Sequence, residues 1–164
     1  MRFLGIDPGQ SGGFAVLSED GEPLLCRRMP DSEEEIAALV KECLTDGSGM
    51  KAYLEKVRSS PQMSKGSIFT FGMGYGGLRM ALIFAGIPFE DVATQRWQRF
   101  IGVLDKTGAR ALGDVNITEK KNRHKAKAQE LFPSLVVTHA LADALLIAEY
   151  GRRMDRGFGA DFLK

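Results

Sequence analysis

Phe3-Leu4-Gly5-Ile6-Asp7-Pro8-Gly9 is the stretch that decides the fold. A short apolar run meets a carboxylate, and Pro8-Gly9 turns the chain at once. Arg2 to Asp7 therefore reads as a buried strand with an acid at its end. Gly12-Gly13 marks a second turn, and Phe14 to Leu17 a second strand. Glu19-Asp20-Gly21 is a hairpin signal, because Asp-Gly favours positive φ. Pro23 to Arg28 then makes a third strand and completes an antiparallel meander.

The pattern changes after the meander. Ser32 is a good N-cap, and Glu33, Glu34 and Glu35 complement a helix dipole. Ile36, Leu39, Val40 and Cys43 mark the apolar face of that helix, which ends near Asp46-Gly47-Ser48-Gly49. Met50 to Val57 is a fourth strand, closing on Tyr53-Leu54-Glu55. The spacing predicts a helix from about Ser67 to Phe84, although Gly72, Gly74, Gly76 and Gly77 weaken it. Pro88 to Thr94 is a fifth strand. Thr94 is placed to cap a short helix holding Trp97, Phe100 and Ile101, with Trp97 as a core anchor. Lys106 to Gly113 reads as a loop. Asn116 or Thr118 opens a basic helix with Ala126, Ala128, Leu131 and Phe132, which Pro133 helps to stop. The last helix starts near Thr138 or His139 and runs to about Arg153. Strands that meander and then alternate with helices imply an α/β fold, a five-stranded mixed sheet covered on both faces. Residues 1-154 read as one domain and 155-164 as a loosely packed tail.

The composition is that of a soluble globular protein. A net charge of +1 excludes little about partners. The distribution is more telling: between Arg96 and Lys127 lie Arg99, Lys106, Arg110, Lys120, Lys121, Arg123 and Lys125, against Asp105, Asp114 and Glu119. Such a stretch is either a solvated helix and loop or a surface that contacts phosphates. Cys26 and Cys43 have no metal or redox spacing and read as small core residues in a reducing compartment. No signal-peptide pattern opens the chain, and Leu78 to Ala85, its most apolar stretch, is too short to span a bilayer. The expectation is a cytoplasmic, soluble protein with no membrane role.

Four residues could carry chemistry. Asp7 stands at a strand end beside glycines that let a phosphate approach; the competing reading is a turn-capping Asp. Glu55 lies in an apolar strand, where an unpaired acid is costly, unless it faces water or pairs with Lys56 or Arg58. Asp143 sits among Ala142, Ala144, Leu145, Leu146, Ile147 and Ala148, an uncomfortable place for a purely structural acid. Small residues at Ala140, Ala144 and Ala148 would let this helix approach the sheet. His139 is one turn before Asp143 on the same helix face and could ligate a metal, move a proton, or be an ordinary helix-start histidine. Converging acids need cations, and oxygen donors suit Mg²⁺ or Mn²⁺. The chemistry this implies is metal-assisted phosphodiester cleavage.

Gly5-Ile6-Asp7-Pro8-Gly9, the strand-end Glu55 and His139-Ala140-Leu141-Ala142-Asp143-Ala144-Leu145-Leu146-Ile147-Ala148 resemble the RuvC family of Holliday-junction resolvases, in particular its small phage-like branch. The likeness runs from Met1 to about Arg153 and implies the ribonuclease H-like fold. It implies that Asp7, Glu55, His139 and Asp143 bind metal and act in catalysis, with two Mg²⁺ ions per site that Mn²⁺ can replace. His139 stands four residues before Asp143, where bacterial members commonly place the fourth ligand three before. Lys121 resembles a family lysine near the scissile phosphate, and Lys120 beside it fits the same description. Lys120, Lys121, Arg123, Lys125, Lys127 and Phe69 are the expected DNA contacts, and Phe69 or Phe71 either stacks on an opened base or packs in the core. The resemblance further implies a homodimer, through the helix after Glu55, that nicks four-way junction DNA symmetrically and needs no nucleotide cofactor. Its setting would be a bacterial or phage-infected cell. Alternatives are a nuclease of the same fold acting on flaps, other branched DNA or RNA:DNA hybrid, an ATP-binding protein of the actin and sugar-kinase type, and a non-catalytic junction-binding module.

Overall fold

A computed structural model describes residues 1–44, 47–57, 63–104 and 117–157. Its frame is a five-stranded sheet of β1 (Arg2–Asp7), β2 (Gly13–Leu17), β3 (Pro23–Arg28), β4 (Met50–Lys56) and β5 (Phe89–Ala93), ordered β3-β2-β1-β4-β5. The meander pairs antiparallel; β1 with β4 and β4 with β5 pair parallel. The hairpin between β2 and β3 turns at Gly21, whose φ is +94°.

Strand periodicity sorts side chains between two cores. Leu4 and Ile6 of β1, with Ala52 and Leu54 of β4, face α1 (Glu33–Glu42) and α2 (Lys65–Phe84). Phe3 of β1 and Tyr53 of β4 face the other way, against α3 (Thr94–Ile101), α4 (Ile117–Leu131) and α5 (His139–Asp155). The same alternation carries Asp7 and Glu55 to the α5 face, since each lies an even number of residues from Phe3 or Tyr53.

α5 is the central helix of that face. Ala142, Ala144, Leu145, Leu146, Ile147 and Ala148 are all fully or almost fully buried. Each large aliphatic among them contributes about 1.5–3 kcal/mol of burial free energy. The approach is close because a Cβ at Gly5 would overlap the backbone of Ala144 and Ala148. The small residues at Ala144 and Ala148 serve the close packing expected of them, and this packing sets the depth of Asp143 against β1.

Several boundaries moved. Ser64, not a later residue, caps α2 by accepting from the Ser67 N–H. Thr94 is the first residue of α3, and Ala93 takes the cap position without a side-chain bond. α5 continues to Asp155, whose carboxylate pairs with Lys51 at 3.1 Å, and Arg156 reaches Asp20 at 3.4 Å. The loop expected at Lys106 to Gly113, the Asn116 cap, and the tail beyond Gly157 lie outside the described residues.

α2 is unusual. Among the described residues it is the one helix long and apolar enough to cross a membrane, a length that the apolar run from Leu78 alone did not reveal. Its sequence is apolar on two sides. Leu78 and Leu82 seat one side in the core over the sheet, and Tyr75 and Arg79 fasten the helix to Asp91 of β5. Phe69, Met73, Met80, Ile83 and Phe84 are exposed on the other.

Candidate active site

The end of β1, the end of β4 and the first turn of α5 converge. The register pairs Ile6 with Leu54, so the next residues, Asp7 and Glu55, are lateral neighbours on the α5 face. Asp143 comes down on them from α5. Asp7 is pushed up from the ordinary carboxylate range to about 8. Burial is the first cause, followed by the charges of Glu55 and Asp143 and a hydrogen bond with Glu55; Lys121 opposes them. Asp7 thus feels two further carboxyl groups, each from a different element.

A cleft of about 190 Å³ opens onto this group, lined by Asp7, Ser11, Arg28, Lys121, His139, Ala140 and Asp143. Glu55 is deeper, 8 % exposed, behind Asp7. Gly12 keeps the turn tight beside the acid, because a Cβ there would overlap the Asp7 carbonyl. His139, the first residue of α5, is exposed on the cleft wall. Ala140, three before Asp143, lines the same wall and has no donor side chain.

Among the described residues, no three His, Cys, Asp or Glu side chains already stand at metal-holding spacing. The chemistry of the donor set nevertheless fits a hard divalent cation. Crowded carboxylates weaken one another's acidity, positive charge among them reverses that effect, and carboxylate oxygens are the donors that Mg²⁺ and Mn²⁺ take. Asp7, Glu55 and Asp143 are the residues that fit. His139 is beside them at the mouth.

The basic helix α4 lies over the same face. Lys121 lines the cleft and acts on Asp7, whereas Lys120 is exposed and not part of the cleft wall. Arg123 donates to the Val103 carbonyl at 3.3 Å, and Lys127 pairs with Glu130 at 2.7 Å. Lys125 is half-buried. Phe69 is 70 % exposed, so core packing is not its fate. Phe71 is half-buried and borders the Gly9 turn next to Asp7. Arg58, named above as a pairing candidate for Glu55, and residues 59 to 62 lie outside the described residues.

Three side chains at the site had no functional place in the sequence reading. Arg28, at the end of β3, lines the cleft. His124 of α4 is buried, and its Nδ1 is 2.7 Å from Asp143 Oδ1. Trp97 is buried as expected of a core anchor, but its Nε1–H also donates to Glu55 Oε1 at 3.0 Å. His124 offered a faint signal: it lies one helical turn before Ala128 on the apolar side of an otherwise charged helix.

By sequence, no protein family and no curated protein matches this chain. Solved structures do match. A RuvC structure from Thermus thermophilus aligns with a TM-score of 0.68 at 19% identity, covering 96% of this chain and 97% of that one. Thermus thermophilus RuvC in complex with a Holliday junction substrate aligns at 0.69 with 18% identity and the same coverage. The chain has the fold of these RuvC structures, the ribonuclease H-like mixed sheet with helices on both faces.

Proposed function

We propose that this protein is a divalent-metal-dependent DNA endonuclease that resolves four-way junctions. The observation that carries the reading is a cleft lined by Asp7 and Asp143 together with Lys121, Arg28 and His139, with Glu55 acting on Asp7 from beneath it. Acids at the floor and bases at the rim match the two charges a nuclease must handle: cations below, phosphate above. A structure of the same fold, at similar size, holds a Holliday junction substrate, which supports that substrate class.

Asp7, Glu55 and Asp143 would hold two Mg²⁺ ions, or Mn²⁺ in their place. Bound there, such ions supply a water nucleophile at neutral pH and stabilise charge on the departing 3′ oxygen. The protein's share is positional. Lys121 and Arg28, both lining the cleft, would seat the scissile phosphate. His139 at the mouth is placed to take or give a proton at the attacking water or leaving oxygen, or to add a ligand. Lys120, Lys125 and the exposed Phe69 would extend the DNA surface beyond the cleft.

Symmetric nicking requires two sites in a fixed relation. The exposed apolar side of α2 supports a homodimer through that helix: Phe69, Met73, Gly76, Met80 and Ile83 recur at alternating spacings of four and three, a coiled-coil seam. Among the described residues, and the helix's own backbone aside, nothing lies within 4 Å of a Cβ placed on Gly72, Gly76 or Gly77, so a partner helix could approach closely.

The test is a cleavage panel in Mg²⁺: four-way junction, flap, linear duplex and RNA:DNA hybrid. Paired symmetric nicks in the junction are expected, with Asp7→Asn and Asp143→Asn each reducing the rate by roughly 10³-fold while junction binding persists. Preference for flap or hybrid would make the protein a different nuclease of this fold. Undiminished cleavage by either variant would overturn the site. ATP binding without DNA would favour the kinase-type reading.

A further inference from the structure

The acids at the cleft floor are themselves held from behind. Trp97 of α3 donates its indole N–H to Glu55 Oε1 at 3.0 Å, and His124 of α4 meets Asp143 Oδ1 through Nδ1 at 2.7 Å. The two rings touch edge to face, with centroids 5.3 Å apart and planes at 67°. Glu55, Trp97, His124 and Asp143 form one continuous bracket that joins β4, α3, α4 and α5.

Neither ring is explained by packing alone. Trp97 is fully buried and His124 is 2 % exposed. Burying an imidazole costs the hydration of both nitrogens, and here Nε2 has no hydrogen-bond partner among the described residues. An apolar side chain of that shape would avoid the cost. Among the described residues, the one polar contact His124 gains is Asp143. Against a carboxylate, Nδ1 is the donor, which fixes the tautomer and orients the acid. The indole does the same for Glu55, which also shares a hydrogen bond with Asp7.

We propose that Trp97 and His124 are positioning residues of the metal site, acting through Glu55 and Asp143; the proposal rests on the nuclease reading. They hold one oxygen of each acid, bear part of its charge and leave the other oxygen for a cation. Outer-shell donors of this kind change metal affinity by roughly 10–100-fold. Trp97 is also the chain's only tryptophan, so its emission reports on Glu55 directly.

The experiment is a Mg²⁺ titration of the DNA-free protein, read by Trp97 emission and by calorimetry, followed by junction cleavage across the same Mg²⁺ range. Wild-type protein is expected to give a saturable change in emission that Asp7→Asn weakens. His124→Ala is expected to raise the half-saturating Mg²⁺ concentration by roughly 10–100-fold in calorimetry and in cleavage, with KM for the junction unchanged. His124→Asn, whose amide can replace the Nδ1 donor, is expected to recover most of that loss. Trp97→Phe, which keeps the ring and removes the donor, is expected to act like His124→Ala. The asparagine and phenylalanine variants keep the test decisive if His124→Ala does not fold. Wild-type Mg²⁺ affinity in His124→Ala and Trp97→Phe, or an asparagine variant no better than alanine, would overturn the bracket. A wild-type protein with neither a Mg²⁺ response nor cleavage would instead overturn the nuclease reading and the bracket with it.

Discussion

Asp7 carries a charge problem that sets a measurable pH dependence. Its carboxyl is raised from 3.8 to about 8 by burial and by Glu55 and Asp143. Below about pH 4 both folded and unfolded chains keep the proton, and the group contributes nothing to stability. Between about pH 4 and about 8 the unfolded chain releases it while the folded protein retains it, so stability falls as pH rises. Above about 8 the whole penalty is present. Asp7→Asn removes it. In EDTA at pH 8 the variant is expected to melt several degrees above wild type, at about 2–4 °C for each kcal/mol, and at pH 4 the two should coincide. Thermal melts at both pH values check this; a variant melting below wild type at pH 8 would mean that Asp7 carries no such burden. A second residue-level prediction separates the paired lysines. Lys121 is on the cleft wall and Lys120 is not, so Lys121→Ala is expected to slow junction cleavage by roughly 10²-fold and Lys120→Ala by less than roughly threefold. Equal losses in single-turnover rates would refute the distinction.

At the scale of elements, local pattern accounts for most of what the sequence reveals and tertiary contact for most of what it hides. β1 and β4 were legible because an apolar run that ends in an acid has few structural explanations. α5 was legible because Ala140, Ala144 and Ala148 leave room for a close approach, which Gly5 completes. The bracket was not legible. Trp97 and Glu55 are 42 residues apart, and His124 and Asp143 are 19 apart, so only folding puts donor and acceptor together. Arg28 was hidden likewise, since a charged residue at the end of an edge strand says nothing about which cleft it borders. α2 was legible as a helix but not as a helix with two apolar sides, because its glycines blur the period. That second side carries an element-level prediction. Met80 and Ile83 are more than half exposed, so a charge at either adds no buried charge to the monomer. Met80→Glu combined with Ile83→Glu is expected to give a folded monomer by light scattering, with paired junction nicks reduced to slow single ones. A dimer persisting at micromolar concentration would move the interface elsewhere.

For the whole molecule, charge is nearly balanced, 22 basic against 21 acidic side chains, so on the nuclease reading DNA would not be drawn by net charge. Affinity has to come from where the bases sit. α1 opens with three glutamates on one face of the sheet, whereas α4 lies on the other face, over the acids of the cleft. An acidic floor repels a phosphate backbone unless the rim outweighs it. On the nuclease reading, Lys121, Lys120, Lys125 and Arg28 are the side chains that would do so, and Lys121 opposes, as the smallest contribution, the acids' effect on Asp7. Each lysine that neutralises a phosphate releases about one counterion, so the logarithm of junction affinity falls against the logarithm of salt with a slope near −0.9 per contact. Replacing Lys120, Lys121 and Lys125 by alanine is expected to flatten that slope by about two to three. Above about pH 8, where Asp7 is ionised, Asp7→Asn lowers the charge of the floor without touching the rim and is expected to leave the slope unchanged and to tighten binding in EDTA. Fluorescence anisotropy on a labelled junction between roughly 50 and 200 mM salt measures both. If the triple variant keeps the wild-type slope, α4 is a solvated helix and the DNA lies across another part of the molecule.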